Sequence, residues 1–118
     1  MPNNQSTGKQ GEDLAAIYLT KQGYKIIERN FQKKHGDIDI VALDGQTLVF
    51  IEVKTRRSKS FGPAIEAITP WKVRTLIQSA HLYKMLHQEL PGAMRIDVVA
   101  IDYTEKSPKI ELVKNITM

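Results

Sequence analysis

The chain has 118 residues, 42% of them hydrophobic and 25% charged, which is enough for one globular domain with its own core and excludes wholesale disorder. It contains no cysteine, so disulfides, thiol nucleophiles and thiolate zinc sites are excluded, and the composition fits a reducing cytoplasm. Net charge is +4, weighted to residues 1–59 with ten Lys/Arg against seven Asp/Glu, a bias compatible with a phosphate-rich partner.

Residues 1–7 are polar and uncharged, with no apolar stretch behind them, so they read as a flexible N-terminus of a single domain spanning 1–118 and not as a secretory signal. Helical spacing of Leu14, Ala15, Ile17 and Tyr18 predicts a first helix over about 7–22, stopped at Gly23. A short strand follows at 24–29. Strands at 37–42 and 48–54 flank Leu43-Asp44-Gly45-Gln46, and the Asp-Gly pair signals a β-hairpin. The longest aliphatic-aromatic run, Leu48-Val49-Phe50-Ile51, is far short of the ~20 residues of a membrane helix, so a soluble, cytoplasmic protein with no membrane partner is expected.

Residues 58–63 read as a loop. Thr69-Pro70 then supplies an N-cap and a first-turn proline for a second helix, which runs to about His87 with Val73, Leu76, Ile77, Ala80 and Tyr83 on one face. Leu90-Pro91-Gly92 ends it, and 95–102 and 109–113 are two closing strands. The order αβββαββ describes an α/β or α+β sandwich on a mixed sheet.

The hairpin carries the chemistry. A two-residue turn at Asp44-Gly45 sets Phe50 opposite Asp39 and Glu52 opposite Asp37. Alternation then puts Asp37, Asp39, Phe50, Glu52 and Lys54 on one face, with Asp39 and Glu52 as diagonal neighbours ~7–8 Å apart along the backbone. Acids within a central, β-branched strand cost free energy unless they are paired or bind a metal. Two adjacent carboxylates repel, and a divalent cation removes the conflict. Hard oxygen donors without cysteine or histidine select magnesium or manganese, and Lys54 is placed to hold a phosphate oxygen or orient a water. An isolated Glu-x-Lys, by contrast, is usually a solvated ion pair.

Around this strand Lys33, Lys34 and His35 precede the hairpin, and Arg56, Arg57 and Lys59 follow it. Both clusters meet at its open end, where phosphate contacts would hold a nucleic-acid backbone without reading sequence. Lys72 and Arg74 are weaker candidates that surface solubility explains equally well. Trp71 and Phe61 read as packing residues of the core. No phosphate-cradling glycine motif and no Ser-His-acid arrangement is present.

Gly36-x-x-Asp39 followed by Phe50-Ile51-Glu52-Val53-Lys54-Thr55-Arg56 resembles the core of PD-(D/E)xK nucleases. More closely, Gly11-Glu12-x-x-Ala15, Gly23-Tyr24, the stretch from Gly36 to Ala42, Glu52-Val53-Lys54-Thr55-Arg56 and Arg95-Ile96-Asp97-Val98-Val99 are similar to the YraN-like family of small bacterial proteins. The resemblance spans nearly everything from Gly8 to about Val113. It implies a restriction-endonuclease-like fold, a central mixed sheet with an antiparallel hairpin flanked by helices, related to archaeal Holliday-junction resolvases. It also implies Asp39 and Glu52 as metal ligands, Lys54 as the catalytic lysine, Glu12 as a helix-borne acid completing the site, and a homodimer acting on branched DNA. Ile38 stands where many relatives have proline. Two roles stay open for Glu12, which on the sequence alone serves equally as a first-turn acid facing the helix dipole. Asp37 is an alternative ligand that the G-x-x-D spacing ranks below Asp39. The activity implied is a Mg2+- or Mn2+-dependent, structure-selective DNA endonuclease of recombination or repair, and the alternative is a nucleic-acid-binding accessory protein without catalysis.

Overall fold

The computed structural model describes residues 4–33, 36–57 and 68–117. Its elements are α1 (Asn4–Lys21), β1 (Lys25–Lys33), β2 (Gly36–Asp44), β3 (Thr47–Arg56), α2 (Pro70–Leu86), β4 (Met94–Asp102) and β5 (Lys109–Val113). The strands form one sheet in chain order. Pairs β1–β2, β2–β3 and β4–β5 are antiparallel, whereas β3 and β4 run parallel. A parallel pair needs a long crossover, and α2 lies within that connection. The result is the α/β arrangement expected from the sequence, a mixed five-stranded sheet flanked by two helices and consistent with a restriction-endonuclease-like fold.

Helix α1 begins at Asn4, three residues earlier than its apolar periodicity indicates, so the polar start is helical from that point. Gly23 ends it at φ +96°, donating its N–H to the Thr20 carbonyl while the Tyr24 N–H returns to Leu19. This paired closure needs a left-handed residue that glycine adopts without strain. At the start of α2 the Thr69 hydroxyl accepts the Lys72 N–H at 3.1 Å, and Pro70 occupies the first turn.

Strand β3 is buried without a break from Leu48 to Glu52, as a central strand covered on both faces must be. On one face Val49 and Ile51 pack with Ile40, Val99 and Ile101 beneath Ala15 and Leu19 of α1. On the other Leu48 and Phe50 pack with Val41 and Ile96 beneath Leu76, Ala80 and Tyr83 of α2. Trp71 belongs to neither core. It is 65% exposed, contrary to its expected packing role, because Leu76, Ala80 and Tyr83 define the buried stripe and the first-turn indole lies off it. Phe61 lies outside the described residues.

The hairpin register differs from expectation. Asp44 pairs with Thr47, so the turn residues are Gly45 and Gln46, with Gly45 at φ +60°. A type II′ hairpin wants its positive-φ residue in the first central position, and glycine there moves the turn one residue along from Asp44-Gly45. Val41 therefore faces Phe50 and Ile40 faces Ile51. The ladder ends at that last pair, so Asp39 and Glu52 lie just beyond it and are not in the expected diagonal register.

A polar network pins the turn end of this hairpin. Fully buried Asp97 accepts the Tyr24 hydroxyl at 2.8 Å, the Arg95 Nε at 3.0 Å and the Asn115 N–H at 2.9 Å. Arg95 also reaches Asp44 at 2.6 Å, tying the end of β2 to β4. Each charge is matched, which is the condition under which a buried carboxylate is tolerated.

Candidate active site

The ladder between β2 and β3 ends at Ile40 and Ile51. Just beyond it the alternation of β2 breaks, because Ile40 packs under α1 whereas Ile38 packs under α2. Asp39 lies at this rotation. Its Oδ2 accepts the Val53 N–H at 2.8 Å, so the carboxylate occupies the gap where the strands part. Asp37, two residues earlier, is exposed to solvent, whereas Asp39 is half-buried.

Glu52 is only 4% exposed, and its carboxyl group lies within hydrogen-bonding reach of Asp39. Burial, then the adjacent Glu52 charge, pushes Asp39 up to about 7, although the Val53 hydrogen bond and the Lys72 charge oppose the shift. Two cations meet Glu52 from different elements. The Lys54 Nζ lies 3.6 Å from its Oε2, and the Lys72 Nζ lies 3.5 Å from the same oxygen.

Glu12 approaches from α1. Its pKa is raised by partial burial and next by the Asp39 charge, while Arg29 at 3.6 Å and the Asn30 side chain pull it back down. Arg29 is anchored in turn on Asp13 at 2.8 Å. The helix can lie this close to the sheet because residue 11 is glycine. A Cβ there would stand 2.7 Å from the Thr55 Cγ2 of β3.

The sequence-predicted residues thus divide into two groups. Asp39, Glu52 and Lys54 converge, and Glu12 lies close enough to Asp39 for their charges to interact. The basic residues are more dispersed. Arg56 bonds Asp102 at 3.3 Å, while Arg57 lies 4.2 Å over the Tyr103 ring and donates to Gln10 at 3.2 Å. Lys34, His35 and Lys59 lie outside the described residues, and Lys33 is described only as the last residue of β1.

Lys72 is the site residue that sequence reasoning undervalued. Its signal was its place three residues after an N-cap threonine, which fixes where the helix begins. Only the crossover over β3 reveals that this turn points its lysine at Glu52.

Among the described residues no three histidine or acidic side chains gather closely enough to hold an ion by themselves. The residues that could share an ion are the Asp39–Glu52 pair. That pair suits magnesium or manganese, since magnesium keeps several waters and takes one or two protein carboxylates with a substrate phosphate. Among the described residues, no helix is long and apolar enough to cross a membrane.

Residues 11–101 match the model of the Uncharacterised protein family UPF0102. A UPF0102 protein of Herminiimonas arsenicoxydans is 50% identical over 101 residues, covering 86% of this chain and 81% of that protein. UPF0102 proteins of Geobacter metallireducens and Dehalococcoides mccartyi are 43% and 44% identical over 113 residues, each match covering 96% of this chain and 93% of the relative. The match spans every residue of the proposed site from Glu12 to Lys72, and the chain therefore belongs to the UPF0102 family, the YraN-like group that its motifs resemble.

Proposed function

We propose that this protein is a Mg2+- or Mn2+-dependent endonuclease that hydrolyses phosphodiester bonds in DNA departing from regular duplex, including branched recombination or repair intermediates. The observation that carries the reading is the meeting of buried Glu52 and half-buried Asp39, with the ammonium groups of Lys54 and Lys72 beside Glu52. Two like charges at such range repel, and Asp39 is pushed to about 7 as a result of burial and that repulsion. A divalent cation held by both acids would relieve the conflict with hard oxygen donors of the kind it prefers.

Such an ion, when bound, supplies charge neutralisation at the phosphate and a more acidic water. The remaining work falls to the chain. Lys54 and Lys72, both about 3.5 Å from one Glu52 oxygen, are free to exchange that contact for phosphate oxygens and so hold the scissile group against the acids. Val53 fixes the Asp39 carboxylate through its N–H, keeping one oxygen oriented. Glu12, raised from its ordinary value by partial burial and the Asp39 charge, is suited to taking a proton from the attacking water.

The decisive experiment is a metal titration against labelled four-way, flap, single-stranded and blunt duplex DNA. Cleavage is expected only with divalent metal, and Glu52→Gln or Asp39→Asn should abolish it while leaving binding intact. Salt-sensitive binding with every substrate left whole would instead make the protein a nucleic-acid-binding accessory factor. Neither binding nor cleavage would end the nucleic-acid reading.

A further inference from the structure

Trp71 is the only tryptophan in the chain, and it is 65% exposed. Leaving an indole in water forgoes the burial that usually justifies so large an apolar side chain. Among the described residues it is not part of a broad apolar patch. The other large exposed hydrophobics among the described residues are Ile17 on α1, across the sheet, and Met85 and Leu86 at the far end of α2. An indole isolated in this way is a poor seed for a protein interface, which needs a contiguous apolar centre.

Its surroundings are cationic. The next residue, Lys72, reaches the buried Glu52 at 3.5 Å, so the backbone carrying the indole is fixed at the edge of the carboxylate site. Arg74 is exposed two residues further on, and the first turn of α2 contains no acid. A flat π surface at the start of the same helix as Lys72 and Arg74 matches the chemistry of an unpaired nucleotide, whose base stacks while its phosphate meets the cations. A base inside a regular duplex has both faces covered and offers nothing to such a platform.

Resting on the nuclease reading above, we propose that Trp71 is a stacking platform for an unpaired base next to the scissile phosphate, which sets the substrate class as DNA with a single-stranded or unstacked nucleotide at the cleavage position. Lys72 sets the distance between the two. With its ammonium on the phosphate at the carboxylates, the adjacent indole receives the flanking base.

The single indole makes the test direct, because its emission reports this position alone. Emission and labelled-DNA anisotropy are followed as single-stranded, flap and blunt duplex DNA are added in EDTA, so that no strand is cut. Single-stranded and flap DNA should quench the emission strongly at saturation, and the blunt duplex should not. Trp71→Ala should weaken single-strand binding about 5- to 150-fold, the range for losing one base–aromatic stack, with Trp71→Phe keeping most of the affinity. DNA binding with unchanged emission, or an unaltered affinity in Trp71→Ala, overturns the platform and leaves the nuclease reading standing. Failure to bind any DNA, with or without Mg2+ in the Glu52→Gln protein, removes the nuclease reading and this inference together. A concentration-dependent blue shift without DNA means that a second copy covers the indole, which also overturns the platform.

Discussion

Asp39→Asn should stabilise the protein most at pH 8, by less than half as much at pH 5, and hardly at all below the unfolded value of 3.8. Burial and the Glu52 charge carry the Asp39 carboxyl from 3.8 up to about 7 on folding. Between those values the folded protein keeps a proton that the unfolded chain has released. Stability therefore falls as pH rises through that window, and the whole cost is present above pH 7. At about 1.4 kcal/mol per pH unit the full linkage is about 4 kcal/mol, shared with Glu52 because the two acids titrate as a pair. Asparagine removes the charge yet keeps an oxygen for the Val53 N–H. Allowing for the sharing, the variant should gain about 2–4 kcal/mol at pH 8, which for a domain of this size is roughly 10 °C in Tm. Thermal unfolding by circular dichroism at pH 5, 6, 7 and 8 measures it. Adding Mg2+ or Mn2+ at pH 8 should raise the wild-type Tm by an amount equivalent to about 2.7 kcal/mol at a hundredfold excess over Kd, and should leave the variant almost unmoved. An equal difference in Tm at pH 5 and pH 8, or a variant less stable at pH 8, would refute the carboxylate repulsion on which the site rests.

Lys72→Met keeps the aliphatic stem and removes the charge that lowers Asp39. The decline in stability should still begin near 3.8 but should end at a higher pH than the wild type's value of about 7, and cleavage should drop at least tenfold with little loss of duplex binding, read by unfolding curves and by single-turnover assays. An unchanged cleavage rate would reduce Lys72 to an ordinary ion pair. Gly11→Ala should destabilise by about 1–3 kcal/mol, since its new methyl would meet the Thr55 Cγ2 at 2.7 Å, and should lower activity by moving Glu12. Thr55→Ser deletes that methyl, so the double variant should recover most of the stability in urea titrations. Absence of rescue would mean that another contact sets the position of α1.

Much of the architecture was legible one segment at a time. Gly23 stops α1, Thr69-Pro70 opens α2, and the unbroken β-branched and aromatic run of β3 marks a strand covered on both faces. These are local effects, set by φ preference, by a hydroxyl within reach of an N–H, or by side-chain period, and they survive without knowledge of what lies across the sheet. The acids of the site were readable for the same reason, since charges inside such a strand conflict with their surroundings.

What required three dimensions was every relation between segments. The turn moved by one residue because Gly45 takes the first central position, and that shift changed the register of the whole hairpin leading up to Asp39 and Glu52. The rotation of β2 between Ile38 and Ile40 aims Asp39 at the Val53 N–H, while the crossover brings Lys72 to Glu52 and leaves Trp71 outside the core. Sequence alone determined which residues are helical, extended or chemically out of place, because those properties depend on neighbours a few positions away. Tertiary structure decided which of them meet, because burial and electrostatic repulsion act through space between groups that the chain separates by tens of residues.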